Sequence, residues 1–139
     1  MSASAAGTPL ARKLGLRPGQ AVAVLGRPEG WAVADLPLDV AVHDHLVGHP
    51  DVVIAFVTTL SELQRRLSAV LGALHAQAAL WVAWPRRAAG HRSGVTEQAL
   101  RDLLLPTGLV DVKVAALGDD WSGLKFVWRR QLRAALPGR

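Results

Sequence analysis

The sequence predicts an α/β fold built around a mostly parallel sheet. The strongest evidence is the stretch 51–87, which has the pattern strand, helix, strand. Residues 51–57 form a nearly unbroken apolar run, as expected of a strand that is buried on both faces. Thr59 and Glu62 then have the spacing of a capping box, and apolar residues follow at helical spacing. The next apolar run, 79–84, completes a crossover unit in which the two strands are parallel.

The length and composition are those of one domain without a membrane span. The chain has 139 residues, half of them hydrophobic, and no cysteine. Disulfides, thiol nucleophiles and thiolate metal sites are therefore excluded. No apolar run approaches the roughly 20 residues of a membrane helix. We expect a disordered tail over 1–8, a single α/β domain over 9–139, no membrane contact and a cytoplasmic location.

The basic charge is interpreted as a compositional bias rather than as a nucleic-acid site. The net charge is +5, but thirteen of the sixteen basic residues are Arg. An excess of Arg together with Ala, Gly, Val and Leu is typical of a GC-rich genome. Nucleic-acid-binding proteins concentrate their charge on one face, whereas these charges are scattered. The local clusters are Arg86, Arg87 and Arg92, and Arg129, Arg130 and Arg133.

One helix and two strands are predicted before the central unit. Thr8 and Pro9 have the order of a cap followed by a first helical residue, and they begin a short helix. The apolar run 21–25 predicts the first buried strand. Residues 27–49 show no clear period, apart from a short candidate strand at 40–43. Any helix in this interval is therefore short or missing, since a crossover that contains a helix needs about 10–12 residues.

A helix and a hairpin are predicted after the central unit. Thr96 has the position of an N-cap for a helix that ends near Leu105. The run 109–116 alternates between apolar and polar residues, which indicates a half-exposed strand at a sheet edge. A loop over 118–123 and a last strand over 124–130 then predict an antiparallel hairpin. The alternation predicts that Val110, Val112 and Val114 face one side, and that Asp111 and Lys113 face the other.

Residues 14–26 resemble the approach to the first motif of class I S-adenosylmethionine-dependent methyltransferases. They contain a leucine-rich lead, Pro18 and Gly19, and a strand that ends in Gly26. The later order of strands and helices is also similar to that family. The resemblance implies a three-layer Rossmann-like sheet of five or six mostly parallel strands. It implies the strand order second, first, third, fourth, sixth, fifth, with the sixth strand antiparallel and placed beside 80–84.

The cofactor motif of those enzymes is incomplete in this chain. The family pattern has an acidic residue on the first strand, where Ala23 and Val24 stand here. It also has closely spaced glycines, whereas Gly26 and Gly30 are far apart and enclose an Arg-Pro pair. Asp44 is the one candidate for binding the ribose, although a turn Asp is the commoner interpretation. The resemblance supports the fold and argues against the activity, so we expect no cofactor, with S-adenosylmethionine as the alternative.

The chain from Thr8 to Arg130 also resembles a bacterial family known only as a domain of unknown function. This resemblance implies no activity, because the family has no accepted function. The matching segments are 8–10, 13–15, 28–31, 81–85, 108–113 and 121–125.

The candidate ligand-binding residues are those expected beyond the carboxyl ends of the strands, where open parallel sheets bind ligands. We call this region the rim. No catalytic residue is assigned within it. The residues that the topology places in the rim are Gly26, Glu29, Gly30, Trp31, Thr58, Trp84, Arg86, Arg87, Asp119, Asp120, Trp121 and Ser122.

Each chemical feature of the rim has a functional and a structural interpretation. Trp84 and the two arginines that follow it could bind a small anionic ligand, but a core Trp followed by surface Arg is favoured. Asp119 and Asp120 could supply a general base or bind a cation, but a polar loop closed by Trp121 is favoured. Lys125 faces either the cleft or solvent, and both alternatives stay open.

No familiar catalytic or metal-binding pattern is present in the sequence. No serine lies in a nucleophile elbow, and no phosphate-binding loop occurs. A metal site needs three or four converging ligands, and the histidines show no matching acidic cluster, so no metal is expected. The histidines are His43, His45, His49, His75 and His91.

The leading hypothesis is a non-catalytic binding or interaction module, a pseudoenzyme on a methyltransferase-like scaffold that has lost the cofactor motif. Its partner would be a small anionic ligand or a protein, and a homodimer through the edge strand 109–116 is a further option. One alternative is an active methyltransferase with an atypical S-adenosylmethionine site. The second alternative is a nucleic-acid-binding module.

Overall fold

The computed structural model describes residues 8–87, 90 and 93–138. The predicted tail, apart from Thr8, lies outside the described residues, as do His91 and Arg92. The strands are β1 (Ala21–Leu25), β2 (Ala41–His43), β3 (Val52–Phe56), β4 (Ala79–Pro85), β5 (Leu109–Ala116) and β6 (Trp121–Trp128). The helices are α1 (Leu10–Lys13), α2 (Leu60–Ala73) and α3 (Glu97–Leu104), and two 3₁₀ segments span Leu105–Thr107 and Arg130–Ala135.

The six strands of the described chain form one sheet in the order β2-β1-β3-β4-β6-β5. β1 is parallel to β2 and β3, and β3 is parallel to β4. β6 lies between β4 and β5 and is antiparallel to both. The predicted Rossmann-like fold class, the strand order and the inserted antiparallel strand are all confirmed.

The sheet is covered on both faces. α2 and α3 pack on one face, which we call the α2 face, and α1 packs on the other, which we call the α1 face. Because side chains alternate along a strand, β3 and β4 supply both cores: Val53 and Leu80 are buried on the α2 face. Ile54 and Trp81 are buried on the α1 face. The indole Nε1 of Trp81 donates to the carbonyl of Leu14 at 3.3 Å and ties α1 to the sheet.

The crossover from β1 to β2, all of which is described, contains no helix. Residues 26–40 form turns instead, with left-handed backbone at Asp35 (φ 55°) and Asp39 (φ 60°). Trp31 and Val33 of this segment pack against the core of the α1 face. The prediction that any helix here is short or missing is confirmed, and an irregular segment covers this part of the sheet.

Both long helices begin at the predicted caps. The hydroxyl of Thr59 accepts the N–H of Glu62 at 3.2 Å, and that of Thr96 accepts the N–H of Ala99 at 3.1 Å. The reciprocal half of the capping box is not formed as predicted. The Glu62 carboxylate accepts hydrogen bonds from the hydroxyl and the N–H of Thr58, one residue before the cap.

The first helix begins one residue later than predicted. Pro9, rather than Thr8, takes the N-cap position, and no side chain caps this helix. At its other end Gly15 has a φ of 73°, and its N–H donates to the carbonyl of Arg12 at 3.0 Å. This left-handed glycine ends the helix and turns the chain towards β1.

The last strand begins at Trp121, three residues before the predicted start, and it ends at Trp128. Because β5 ends at Ala116 and β6 begins at Trp121, the hairpin turn spans 117–120 and is shorter than expected. Gly123 is needed inside this strand because the side chain of Leu117 occupies the space where a Cβ would be. A Cβ on Gly123 would lie 2.6 Å from the Cδ1 of Leu117, which leaves no room for a side chain.

β5 has the predicted bounds and the predicted edge position, but its predicted alternation is wrong. A register shift lies between Asp111 and Lys113. Asp111 is opposite Phe126, which is buried on the α2 face, whereas Lys113 is opposite Lys125. The extra residue at Val112 changes the phase of the strand, so the two charged residues face opposite sides of the sheet.

A buried polar pair joins the amino ends of the strands. The Nε2 atom of His75 lies 2.9 Å from Oδ1 of Asp51, and the other carboxylate oxygen accepts the N–H of Ala21 at 2.8 Å. The N–H of Gln77 donates to Nδ1 of His75 at 3.1 Å, so Nε2 carries the proton that Asp51 accepts. This network is at the end of the sheet opposite the rim.

Candidate functional site at the rim of the sheet

The structure brings the predicted rim residues to one edge of the sheet. The carboxyl ends of β1, β2, β3 and β4 meet there because these strands are parallel. β6 is antiparallel to β4 and begins opposite Pro85, so the turn 117–120 reaches the same edge. The described rim has two halves, one around β1 and β2 and one around β4, β6 and α3.

In the first half, Arg27 pairs with Asp44. The guanidinium Nε lies 2.9 Å from Oδ1 and Nη2 lies 3.0 Å from Oδ2, so both carboxylate oxygens accept a hydrogen bond. The pair joins the residue after Gly26 to the residue after β2. Asp44 is the candidate ribose ligand of the sequence analysis, and Arg27 engages it on both oxygens.

Gly26 is required by the chain's own packing. Its φ is 67°, and a Cβ at this position would lie 2.7 Å from the carbonyl oxygen of Phe56. The end of β1 therefore approaches the end of β3 closely, which only glycine permits. Gly30 also has a positive φ, of 78°, but no atom lies within 4 Å of the place of its Cβ. Gly30 serves a turn rather than a close contact.

Three aromatic rings close the α1 side of the rim. The ring centroids of Trp31 and Phe56 are 4.8 Å apart, and those of Phe56 and Trp121 are 5.0 Å apart, both in edge-to-face geometry. The indole N–H of Trp31 donates to the carbonyl of Leu117 at 2.8 Å. The irregular crossover is thus fastened to the turn between β5 and β6.

A small apolar cavity lies beneath the irregular crossover. Its volume is about 150 Å³, and apolar side chains dominate its wall, with Arg27 as the one charged residue among the described lining. Typical ligand sites measure roughly 300–1,000 Å³, so this cavity is smaller than the site that a nucleoside cofactor occupies. Its lining includes Val22, Val24, Trp31, Leu36 and Ile54.

In the second half, Arg86 supports the turn between β5 and β6. Its N–H donates to the carbonyl of Asp120 at 2.8 Å, and its Nη1 donates to the carbonyl of Asp119 at 3.1 Å. Trp84 is buried in the core of the α2 face, whereas Arg87 is exposed. The favoured interpretation of Trp84 as a core residue agrees with its burial, and the binding of an anionic ligand by these residues stays a prediction.

A groove of about 510 Å³ opens beside these residues, between the end of β4, the start of β6 and the start of α3. Sequence reasoning predicted part of its wall and missed the part from α3 and the residues before it. The lining that was predicted comprises Trp84, Arg86, Arg87 and Ser122, and the lining that was missed includes Ser93, Thr96 and Arg101.

The missed residues are held by specific hydrogen bonds. The hydroxyl of Ser93 donates to the carbonyl of Thr58 at 2.8 Å, which joins the loop before α3 to the end of β3. Arg101 donates to Asp111 at 2.9 Å and to Glu97 at 3.0 Å. Its hydrogen bond to Asp111 raises the pKa of Arg101, so the guanidinium remains charged but is already paired. The sequence signals near this wall were those of a helix start, with Thr96 as the cap, and they did not indicate a binding surface.

Within the described residues, no group of three or more His, Asp or Glu side chains could hold a metal ion. The rings of His43 and His45 are 6.1 Å apart, but both residues are exposed at the end of β2. No helix in the described part of the chain is long and apolar enough to span a membrane.

Solved structures with a similar fold include methyltransferases. A SAM-dependent methyltransferase from Aquifex aeolicus is 14% identical, with a TM-score of 0.56, over 83% of this chain and 85% of that chain. A ribosomal protein L11 methylase from Lactobacillus delbrueckii subsp. bulgaricus is 10% identical, with a TM-score of 0.56, over 87% and 75%. Magnesium protoporphyrin IX methyltransferase from Synechocystis PCC 6803 with bound SAM is 16% identical, with a TM-score of 0.52, over 81% and 71%.

At these identities the similarity shows the fold, which is methyltransferase-like. No known family matches the chain, and no curated protein does. The resemblance to a family of unknown function stays a prediction. The activities and partners that the names of the similar structures give are properties of those proteins, and the fold similarity does not transfer them to this chain.

Proposed function

We propose that this protein is a non-catalytic binding module on a methyltransferase-like scaffold. The observation that supports this most directly is the ion pair between Arg27 and Asp44. A ribose at the end of β2 would need the carboxylate oxygens that Arg27 already engages, and it would have to displace a guanidinium that forms two hydrogen bonds.

Two further features support the loss of the cofactor site. The glycine at the end of β1 is accounted for by the carbonyl of Phe56, so Gly26 needs no cofactor to explain it. Beside it, Trp31 and Leu117 join the irregular crossover to the turn between β5 and β6. Beneath the crossover lies the small apolar cavity, and an open pocket of about 300 Å³ lies between residues 28–32 and the turn between β5 and β6. The support for the loss of the cofactor site therefore comes from the contacts of Gly26, Arg27 and Asp44 rather than from a lack of space.

The ligand surface of the proposed module is the groove in the second half of the rim. Its size, about 510 Å³, lies within the range of small-molecule sites. The exposed Arg87 and the hydroxyl of Ser122 favour a small anionic ligand or an acidic segment of a protein partner. Pairing of two copies along the edge strand β5 is a separate option for a partner.

An active methyltransferase is the second candidate, and the fold similarity favours it. The Synechocystis structure, which is similar in fold, contains bound SAM. If this chain did the same, Arg27 would have to release Asp44 when the cofactor binds.

A thermal-shift titration distinguishes the two candidates. A ligand that binds only the folded state raises the melting temperature, by about 5 °C at ten times the dissociation constant. We expect no saturable shift with S-adenosylmethionine or S-adenosylhomocysteine at millimolar concentration. A saturable shift that Asp44→Ala abolishes would establish the methyltransferase candidate instead. Asp39→Ala, at an exposed turn of the same crossover, is the matched control.

A further inference from the structure

The three lysines of the chain lie together in space. They occupy positions 13, 113 and 125, whereas the chain has thirteen arginines. The Nζ atom of Lys113 donates to the carbonyl of Lys13 at 3.1 Å, and Lys113 lies opposite Lys125 in the β5–β6 ladder. In a chain that otherwise uses arginine for its basic residues, lysine occurs only at this place on the α1 face.

Two of the three ammonium groups have an acceptor and the third has none among the described residues. Lys13 donates to the carbonyl of Ala116 at 3.1 Å, and Lys113 donates to that of Lys13. The ammonium group of Lys125 makes no hydrogen bond or ion pair with any residue that the structure describes, whereas its backbone lies in the ladders with β4 and β5. It is half-buried, and its Nζ lies 3.5 Å from the place that a Cβ on Gly15 would take.

The surroundings of Lys125 are positive. Burial lowers the pKa of Lys125, and the charges of Lys113 and Arg17 lower it further. Within the described part of the chain, no carboxylate offsets these effects at Lys125. A half-buried cation among other cations costs folding free energy unless an anion accompanies it.

We propose that Lys125, Lys113 and Arg17 form a binding site for a small oxyanion of the phosphate class. An ammonium is a compact charge with three donors, which suits a phosphate oxygen, and Arg17 adds a guanidinium at the exposed side. The anion would accept a hydrogen bond from Lys125 and offset the charge of all three groups. Lys125 lies in the middle of β6, opposite Trp81 of β4, so the site is separate from the groove at the rim.

Calorimetric titration with inorganic phosphate, at an ionic strength held constant with sodium chloride, tests the site. We expect saturable binding to the wild-type protein. Lys125→Met keeps the apolar stem, and it should weaken binding about tenfold or more, as expected for the loss of one charge-assisted hydrogen bond. Arg130→Gln removes one charge from the exposed C-terminal 3₁₀ segment and should leave the affinity unchanged.

Two results would overturn the proposal. One is the lack of a specific phosphate site, seen either as no saturable binding or as equal weakening by Lys125→Met and Arg130→Gln, which would mean that only the net charge matters. The other is binding of a short oligothymidylate without binding of inorganic phosphate, which would indicate a nucleic-acid surface. If circular dichroism shows that Lys125→Met does not fold, Lys113→Gln replaces it in the titration, because Lys113 is exposed and its substitution should leave the fold intact. Lys113→Gln should then weaken phosphate binding more than Arg130→Gln does.

Discussion

Arg27 and Asp44 join the carboxyl ends of β1 and β2 through two parallel hydrogen bonds. In the proposed function the pair takes the place at which a ribose would meet the carboxylate, and it lies at the start of a crossover that has no helix. Its side chains are 40% and 60% exposed, so we assign it a role in occupying the site rather than in stabilising the fold.

Breaking this pair should therefore cost little stability. Arg27→Gln is expected to lower the free energy of unfolding by about 0–1 kcal/mol, because exposed ion pairs contribute little. Urea denaturation at low and high salt measures the change. A loss well above that range would mean that the pair holds the crossover in place, and Arg12→Gln, exposed on α1, serves as the charge control.

Gly26 should tolerate no side chain. Gly26→Ala is expected to cost about 2 kcal/mol or more, because the residue has a positive φ and its Cβ would contact the backbone carbonyl of Phe56. Gly30→Ala is the matched control: it has the same sign of φ but open space, and it should cost about 1 kcal/mol. If urea denaturation gave the same loss of unfolding free energy for Gly26→Ala and Gly30→Ala, the close approach of β1 to β3 would not be rigid.

The buried pair of His75 and Asp51 should be a main contributor to stability. His75→Ala removes the donor to the Asp51 carboxylate and opens a cavity, so we expect a loss of about 3 kcal/mol. Gln77→Ala changes an exposed neighbour whose backbone N–H is retained, and it should stay within about 0.5 kcal/mol of the wild type. A His75→Ala protein as stable as Gln77→Ala would contradict the assigned network.

The lysine cluster predicts a pH dependence of stability. The pKa of Lys125 is lowered by burial and by the charges of Lys113 and Arg17, while Lys13 is the remaining cation beside them. Between this lowered value and the unfolded value of 10.5, the unfolded chain binds more protons, so this contribution to stability rises with pH. Below the lowered pKa the ammonium is charged in both the folded and the unfolded chain. Its burial then lowers the free energy of unfolding by an amount that does not change with pH.

Lys125→Met removes this cost and should therefore gain stability relative to the wild type near neutral pH. The difference should shrink as the pH rises through the lowered pKa, because the wild-type lysine then loses its charge. Parallel urea titrations of the two proteins over a series of pH values measure it. A difference that is the same at every pH would show that Lys125 is solvated as an ordinary surface lysine.

The strand order was predictable because it depends on few choices. The apolar runs at 21–25, 51–57 and 79–84 are buried on both faces, and one capped helix joins the last two. Right-handed parallel crossovers leave little freedom for such a unit. The same logic placed the carboxyl ends together, so the location of the rim followed from the topology.

The details of the hairpin and of the site were not predictable in the same way. The bulge beside Val112 shifts the phase of β5 without any change in its apolar pattern, and Gly123 concealed the true start of β6. The pairing of Arg27 with Asp44 depends on how a segment without a period folds. Lys13 and Lys113 are about a hundred residues apart in the chain and come together only through tertiary packing. No local sequence pattern predicts such a contact.

The most direct test of the account is calorimetric titration of the wild-type protein with S-adenosylhomocysteine and S-adenosylmethionine. We predict no binding heat beyond dilution up to millimolar ligand, because Arg27 occupies Asp44. Saturable binding with one site per chain, lost in Asp44→Ala and retained in Asp39→Ala, would contradict the proposed loss of the cofactor site.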